Sequence, residues 1–297
     1  MSSQVASDPG EPSIDTSGGP RTVALDDGRE IAYASYGDGS GDPVVFLHGT
    51  PGSRRLGALL ESAAAERGLH VLAPDRPGYG ESTAWPGHTL QDAATVVTAV
   101  MDDADSSTAG VVAFSGGAPH ALATAANEPG RVASVAVVSG ATPPAVSDEP
   151  PFLQRALQWL AGRTPRLLGA LFRGQAWAAR RRSPEIVAAQ YTEADPTEAF
   201  SDETVDVVAE DFVEAVTGQG AATSREFARN ATPWEIDYAA ITSDVHFWHG
   251  ARDTNVPLDG VNALAETIPT ADLTVLEDAD HLTALRRATP DVLDAHA

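Results

Sequence analysis

A chain of 297 residues, 42% of them hydrophobic, can bury a core of its own, and the absence of cysteine excludes disulfides, thiolate metal sites and cysteine nucleophiles. A formal net charge of −23, from 42 acidic and 19 basic residues, opposes binding to the like-charged phosphates of nucleic acid. No stretch approaches the roughly 18–20 uninterrupted apolar residues of a membrane span, so no membrane partner is expected.

The first twenty residues lack both a basic start and an apolar run, so they read as a flexible tail (1–20) rather than a secretory signal, and the chain as cytoplasmic. Two short runs, 22–25 and 31–36, flank the turn signal DDG and predict an antiparallel hairpin. The wholly apolar run VVFL at 44–47 predicts a buried strand, followed by a helix over 56–66 and a strand at 71–73. A helix over 90–101 is predicted to be capped by Thr89, followed by a strand at 111–114, a helix at 118–126 and a strand at 132–138. The alternation then stops. Residues 144–239 carry helical patterns at 152–161, 166–182 and 204–216 and no clear buried strand, which reads as an inserted helical cap. The acids of this region, Glu203, Asp206, Glu210, Asp211 and Glu214, read as a solvated helix face. Alternation resumes with a strand at 245–248, a helix at 258–267, a strand at 273–276 and a last helix from about His281, which Pro290 is expected to break or kink. The expected fold is a mostly parallel eight-stranded sheet flanked by helices, with core parts at 21–143 and 240–297 around the cap.

Four segments carry chemistry. VVAFSGGAPHALA, residues 111–123, runs a β-branched strand into a serine, two glycines and an alanine-rich helix. That pattern forces a tight corner that holds a serine hydroxyl out of the sheet, making Ser115 the candidate nucleophile. FLHGTPGS, residues 46–53, follows the VVFL strand, and an acyl-transfer serine needs N–H donors aimed at the developing oxyanion. Gly116 and Thr50 are the candidate donors, with His48 structural beneath the loop and Gly49 bordering the pocket. GARDTNVP, residues 250–257, places Asp253 beyond a strand's carboxyl end, where an acid can orient an imidazole. LEDADHLTAL, residues 276–285, places His281 after the next strand. Of the eight histidines, His281 alone lies in a post-strand loop downstream of both Ser115 and Asp253, which makes it the candidate base. His120 is expected to pack or border the pocket.

HGTPGS, DRPGYGES (residues 75–82), FSGGAPHALA, G-x-x-D-x-x-V-P and D-H-L resemble, in order, the signature segments of the α/β-hydrolase superfamily, of the type with a helical cap. The resemblance covers roughly 21–143 and 240–297. It departs at Ala113, where the usual G-x-S-x-G has glycine, and at Asp280, where many relatives have glycine before the histidine. A carboxylate at 280 could compete with Asp253 for the imidazole. The resemblance implies a serine hydrolase that cleaves a carboxylic ester of a small-molecule substrate through an acyl-enzyme, with no cofactor and no metal. A peptidase resembling proline iminopeptidases, a lactonase, and a ligand-binding homologue without catalysis are the alternatives. Ser115 argues against epoxide hydrolases and dehalogenases, which carry aspartate there. Nothing in the sequence sets the oligomeric state.

All nineteen basic residues are arginine. Self-repulsion at this charge destabilises a compact chain in dilute buffer, and molar salt shortens the screening length to about 3 Å. The composition therefore suits the salty cytoplasm of a halophile. A thermal melt across a salt series should show the melting temperature rising towards molar salt; equal or greater stability in dilute buffer contradicts this reading.

Overall fold

The computed structural model describes residues 20–146, 152–181, 183–217 and 222–297; all of the expected tail except Pro20 lies outside them. Strands β1 (Arg21–Ala24) and β2 (Glu30–Gly37) form the antiparallel hairpin, with Val23 opposite Ile31. β3 (Asp42–Leu47) leads through a 3₁₀ segment, Arg54–Leu60, into α1 (Glu61–Glu66) and β4 (Leu69–Pro74). Next come α2 (Ala93–Asp103), β5 (Ala109–Phe114), α3 (Ala118–Asn127) and β6 (Val132–Val138). Between β6 and β7 the described elements are all helical: α4 (Phe152–Arg163), α5 (Pro165–Arg181), α6 (Glu185–Ala188), α7 (Pro196–Ala199), α8 (Asp202–Thr217), α9 (Ala222–Asn230) and a 3₁₀ turn at Tyr238–Ala240. The chain closes with β7 (Asp244–Gly250), α10 (Leu258–Thr267), β8 (Ala271–Leu276) and α11 (His281–Asp294).

The eight strands form one sheet in the order β1-β2-β4-β3-β5-β6-β7-β8. β2 pairs antiparallel with β1 and β4; every other pairing is parallel. Parallel strands covered on both faces must be apolar along their whole length, and all six residues of β5 are buried. Alternate residues feed two layers. Phe46, Val112 and Phe114 join the layer of α1 and α11, whereas Leu47, Val111 and Ala113 join that of α2, α3 and α10. Because β3, β5, β6, β7 and β8 run parallel, the loops after them emerge at one edge of the sheet.

Three local expectations change. The 56–66 helix is a 3₁₀ segment followed by a short α-helix, and Ser53 Oγ caps the 3₁₀ start by accepting from Arg55 N at 3.3 Å. α2 starts at Ala93, and Thr89 does not cap it: its N–H and Oγ1 both donate to Asp92 Oδ2, at 2.8 and 2.7 Å. Pro290 lies inside α11 without ending it. The carbonyl deprived of a partner belongs to exposed Arg286, where water can serve it.

The helices between β6 and β7 meet the core through buried carboxylates. Asp211 of α8, 4% exposed, accepts from Ser53 N at 2.6 Å and Ser53 Oγ at 2.9 Å. Glu214, on the same helix, pairs with Arg54 and Arg55. Glu226 of α9, also buried, pairs with Arg76 at 2.7 Å. The acids of α8 are therefore not one solvated face: Asp211 and Glu214 point at the core because cations and N–H donors of the 53–55 turn wait there.

Burial pushes the Asp211 carboxyl up to about 8, against the opposing hydrogen bonds from Ser53. A carboxyl raised in the folded state keeps a proton that the unfolded chain releases, so its contribution to stability falls as pH rises from about 4 to 8. Asp211→Asn has no proton to lose. Melts at about pH 5 and pH 8.5 should show the gap in melting temperature narrowing, by about 2–4 °C per kcal/mol of the lost dependence. An unchanged gap would mean that Asp211 titrates alike in both states.

Candidate active site

β5 ends at Phe114, and Ser115 turns the chain with a left-handed φ of 51° before α3 begins. A non-glycine residue there is strained and persists only where its surroundings impose it. The surroundings here are two close backbone approaches. A side chain on Gly116 would collide with the side chain of Thr50 and lie 3.0 Å from its backbone nitrogen. One on Gly117 would strike the Leu47 carbonyl. With glycine at both positions, the loop after β3 packs directly against the corner, so Thr50 N and Gly116 are neighbours. The Ser115 carbonyl accepts from Ala141 N at 2.9 Å, which holds the corner from the β6 side.

His281 opens α11 and is buried. Its Nδ1 lies 2.7 Å from Asp253 Oδ2 in the loop after β7. Asp253 Oδ1 accepts from Asn255 N and Val256 N, both at 2.9 Å. Burial raises the Asp253 carboxyl, but the His281 charge and hydrogen bond, then His249 and the Val256 N–H, outweigh it and hold the carboxyl below its ordinary value. His249 lies 3.5 Å from the same oxygen and 3.0 Å from the Val256 carbonyl, so a second imidazole backs the acid. The His281 ring is held between Phe114, centroids 4.9 Å apart, and the nearly parallel ring of Tyr191 at 6.1 Å. Its carbonyl accepts from Ser139 Oγ at 3.1 Å.

The structure thus joins His281 to Asp253 directly. Ser115 and His281 are not hydrogen-bonded to each other; Ser115 lies in a cleft with Phe114 and Tyr191, the two residues whose rings hold the His281 imidazole, and with Thr50, Asp211 and Leu282. Asp280 does not compete for the imidazole. It caps α11, Oδ1 accepting from Thr283 N at 3.0 Å, while Oδ2 accepts from Thr192 Oγ1 at 2.6 Å and Glu193 N at 2.9 Å. His48 is fully buried, with Nδ1 2.8 Å from the Gly49 carbonyl and Nε2 accepting from Arg76 N at 3.3 Å. Burial and the Arg76 charge hold its pKa well below that of a free imidazole. Gly49 borders the cleft. His120 is buried against Glu226, 3.3 Å from Oε1, and burial lowers its pKa to about 4.

Sequence reasoning passed over Glu226 and Tyr191, and read Asp211 as part of a solvated face. Glu226 Oε2 accepts from Thr50 Oγ1 at 2.7 Å and from the Tyr79 hydroxyl at 2.9 Å, besides its pair with Arg76. Burial raises its pKa, but the Arg76 guanidinium overrides this and keeps the carboxyl well below the usual range. An anion of α9 therefore grips the loop that carries Thr50. No local signal marks it, because its partner Thr50 lies 176 residues away.

The cleft over Ser115 has a volume of about 20 Å³, room for about one water, between the β3 loop, Phe114, Tyr191, α8 and Leu282. A larger concavity of about 650 Å³, with Arg55, Arg180 and Glu210 in its wall, includes none of the residues that converge on His281.

The non-heme chloroperoxidase of Streptomyces lividans is 35% identical over 130 residues, 43% of this chain and 47% of that protein. A dihydrolipoyllysine-residue acetyltransferase component of the acetoin cleaving system of Pseudomonas putida is 34% identical over 116 residues, 38% of this chain and 31% of that one. The chain spans less than half the length of the first curated relatives it matches. Among solved structures, a thermophilic esterase from Thermogutta terrifontis superposes with a TM-score of 0.67 at 22% identity, covering 94% of this chain and 100% of its own. The enol-lactonase of Burkholderia xenovorans LB400 superposes with a TM-score of 0.70 at 21% identity, covering 92% and 98%. At these identities the structural likeness speaks for the fold alone. The family model described as the alpha/beta hydrolase fold matches residues 42–288, from the start of β3 into α11. Since that span takes in most of the sheet, both layers of helices and every residue that converges on His281, the protein belongs to the alpha/beta hydrolase fold family.

Proposed function

We propose that the chain is a serine hydrolase that cleaves a carboxylic ester of a small molecule through a Ser115–His281–Asp253 triad. The observation that carries this reading is the buried 2.7 Å bond between His281 Nδ1 and Asp253 Oδ2, set beside a serine held at a left-handed corner. With Nδ1 committed to the carboxylate, Nε2 is free to act as a base. Rotation of the Ser115 side chain brings its hydroxyl to that nitrogen; such contacts often close only when substrate is bound. The hydroxyl oxygen attacks the ester carbonyl carbon as its proton passes to His281. The carbonyl oxygen takes the negative charge and is met by the N–H groups of Thr50 and Gly116. When the tetrahedral intermediate collapses, the carbon–oxygen bond to the alcohol breaks and His281 returns the proton to the leaving oxygen. Water, deprotonated by His281, then releases the acid and restores Ser115. Asp253 stays ionised throughout and stabilises the imidazolium.

The helices from α4 to α9 serve as a cap over the cleft, and its displacement admits the substrate. An ester fits better than an aminopeptidase substrate. A peptidase of that kind needs cap acids free to hold an amino group, but Asp211 is engaged by Ser53 and Glu226 by Arg76, Thr50 and Tyr79. Cytoplasmic residence and adaptation to high salt complete the reading, on the charge and all-arginine composition alone.

Ser115→Ala should lower hydrolysis of p-nitrophenyl esters by a factor of about 10³ or more and abolish labelling by a fluorophosphonate, with an unchanged circular dichroism spectrum. Asp253→Asn should cost about 10³–10⁴ in kcat. Full activity of Ser115→Ala would remove the assignment. A panel of p-nitrophenyl esters, aminoacyl anilides and lactones at molar salt separates the ester reading from the peptidase, the lactonase and a non-catalytic binder.

A further inference from the structure

The charge of this chain is unevenly placed. Residues 152–181, which hold α4 and α5, contain six arginines (155, 163, 166, 173, 180 and 181) and no acidic residue, in a chain whose formal charge is −23. All six are exposed. None forms an ion pair with a described residue, whereas Arg21, Arg29, Arg54, Arg67, Arg76 and Arg131 of the core each do.

The same two helices carry apolar side chains into solvent. Among the described residues the large exposed hydrophobics are Trp159, Leu167, Leu171, Trp177 and Ile186, all between α4 and α6. At about 100° per residue, α5 turns Leu168, Phe172, Ala176 and Ala179 inward, Leu167 and Trp177 to the opposite side, and Leu171 to the flank between. Arg166, Arg173 and Arg180 recur at seven-residue intervals along one flank of α5, drifting towards α8, so that Arg180 stands at the rim of the concavity it shares with Glu210. On α4, Trp159 stands between Arg155 and Arg163, one turn to either side. Each exposed tryptophan also carries a guanidinium against its ring: Arg163 at 5.5 Å from Trp159 and Arg181 at 5.1 Å from Trp177.

We propose that the outer face of α4 and α5 docks on a lipid bilayer surface bearing anionic headgroups. Helices that lie in such an interface combine cations at headgroup level with tryptophan and leucine at the acyl boundary. Charge complementarity selects this occupant. Face-to-face pairing with a second copy would oppose six arginines to six arginines. Pairing with another face of a second copy would find acids there, but no matching exposed apolar patch among the described residues. A nucleic acid would leave the leucines uncovered. Only the anionic bilayer meets both features together. The negative remainder of the chain does not prevent docking, because charges more than about 8 Å from the lipid are screened at physiological salt. At molar salt the screening length of about 3 Å still admits contact pairs between arginine and headgroup, and the apolar side chains sustain the rest. The face does not involve Ser115, so the inference stands or falls independently of the proposed chemistry.

The test is flotation of the full chain with vesicles of phosphatidylcholine alone and with an equal part of phosphatidylglycerol, at about 0.15 M salt. The protein should float with the anionic vesicles and not with phosphatidylcholine, and Ser115→Ala should float equally well. The combined Arg166→Gln, Arg173→Gln, Arg180→Gln variant should lower the partition coefficient roughly fivefold per arginine removed. Leu171→Ser with Trp177→Ser should weaken partition and reduce the blue shift of tryptophan emission that vesicles induce, while the circular dichroism spectrum stays unchanged. No flotation, equal flotation with both vesicles, or flotation indifferent to the arginines would overturn the proposal. So would a dimer in sedimentation velocity that these same substitutions dissolve.

Discussion

The site rests on the approach of two backbones at the corner after β5. Ser115 holds a left-handed φ that costs energy, and it is kept there because the chain on either side has nowhere else to go. β5 is buried along its whole length, α3 begins at Ala118, and the β3 loop lies against Gly116 and Gly117 so closely that no side chain fits at either position. The same approach makes Thr50 N and Gly116 neighbours, the geometry that a pair of oxyanion donors requires. Ala113 in place of the usual glycine does not disturb the corner, since its methyl faces the buried layer of α2 and α3. One steric constraint thus sets both the serine's placement and that of its proposed electrophilic partners.

A second principle governs how the helices between β6 and β7 sit on the core. In an acidic chain, surface carboxylates are abundant and individually cheap in water, but two are used where water is excluded and a third, Glu214, half-buried beside them. Asp211 meets the N–H and hydroxyl of Ser53, Glu214 meets Arg54 and Arg55, and Glu226 meets Arg76, Thr50 and Tyr79. Removing Arg76 would leave Glu226 an uncompensated buried charge, which makes that contact specific about position even where its net stabilisation is small. Asp211 lines the cleft and Glu226 bonds Thr50 beside it, so α8 and α9 both hold the loop that carries Thr50. The arginines of α4 and α5 do the opposite: none forms an ion pair with a described residue, and all six are exposed.

Much of the fold was legible in the sequence because its causes are local. Mainly apolar runs of three to seven residues, broken by glycine and proline, mark the strands, and the alternation of those runs with helical stretches points to the parallel sheet. The serine with its two glycines is legible for the same reason, since backbone collisions at residues 116 and 117 follow from the chain's own turn. Element ends were less legible. Thr89 looks like a helix cap, yet it bonds Asp92 in a turn before the helix, because threonine and aspartate side chains bond nearby backbone and hydroxyl groups in turns as readily as at caps.

What the sequence by itself determined is the set of parts: an eight-stranded α/β sheet, a serine at a strand–helix corner, and an acid and a histidine after the last two strands. Only the tertiary structure decided how they pair. Asp253 and Asp280 are both acids near His281 in the sequence or the fold; the closing of β7 beside β8 brings Asp253 to the imidazole, and Asp280, as helix cap, turns to Thr192 and Thr283. Glu226 and Asp211 lie in helices without any motif, and their partners at residues 50–76 are some 150 positions away. Contacts of that range are set by the packing of whole elements, which composition and periodicity do not encode.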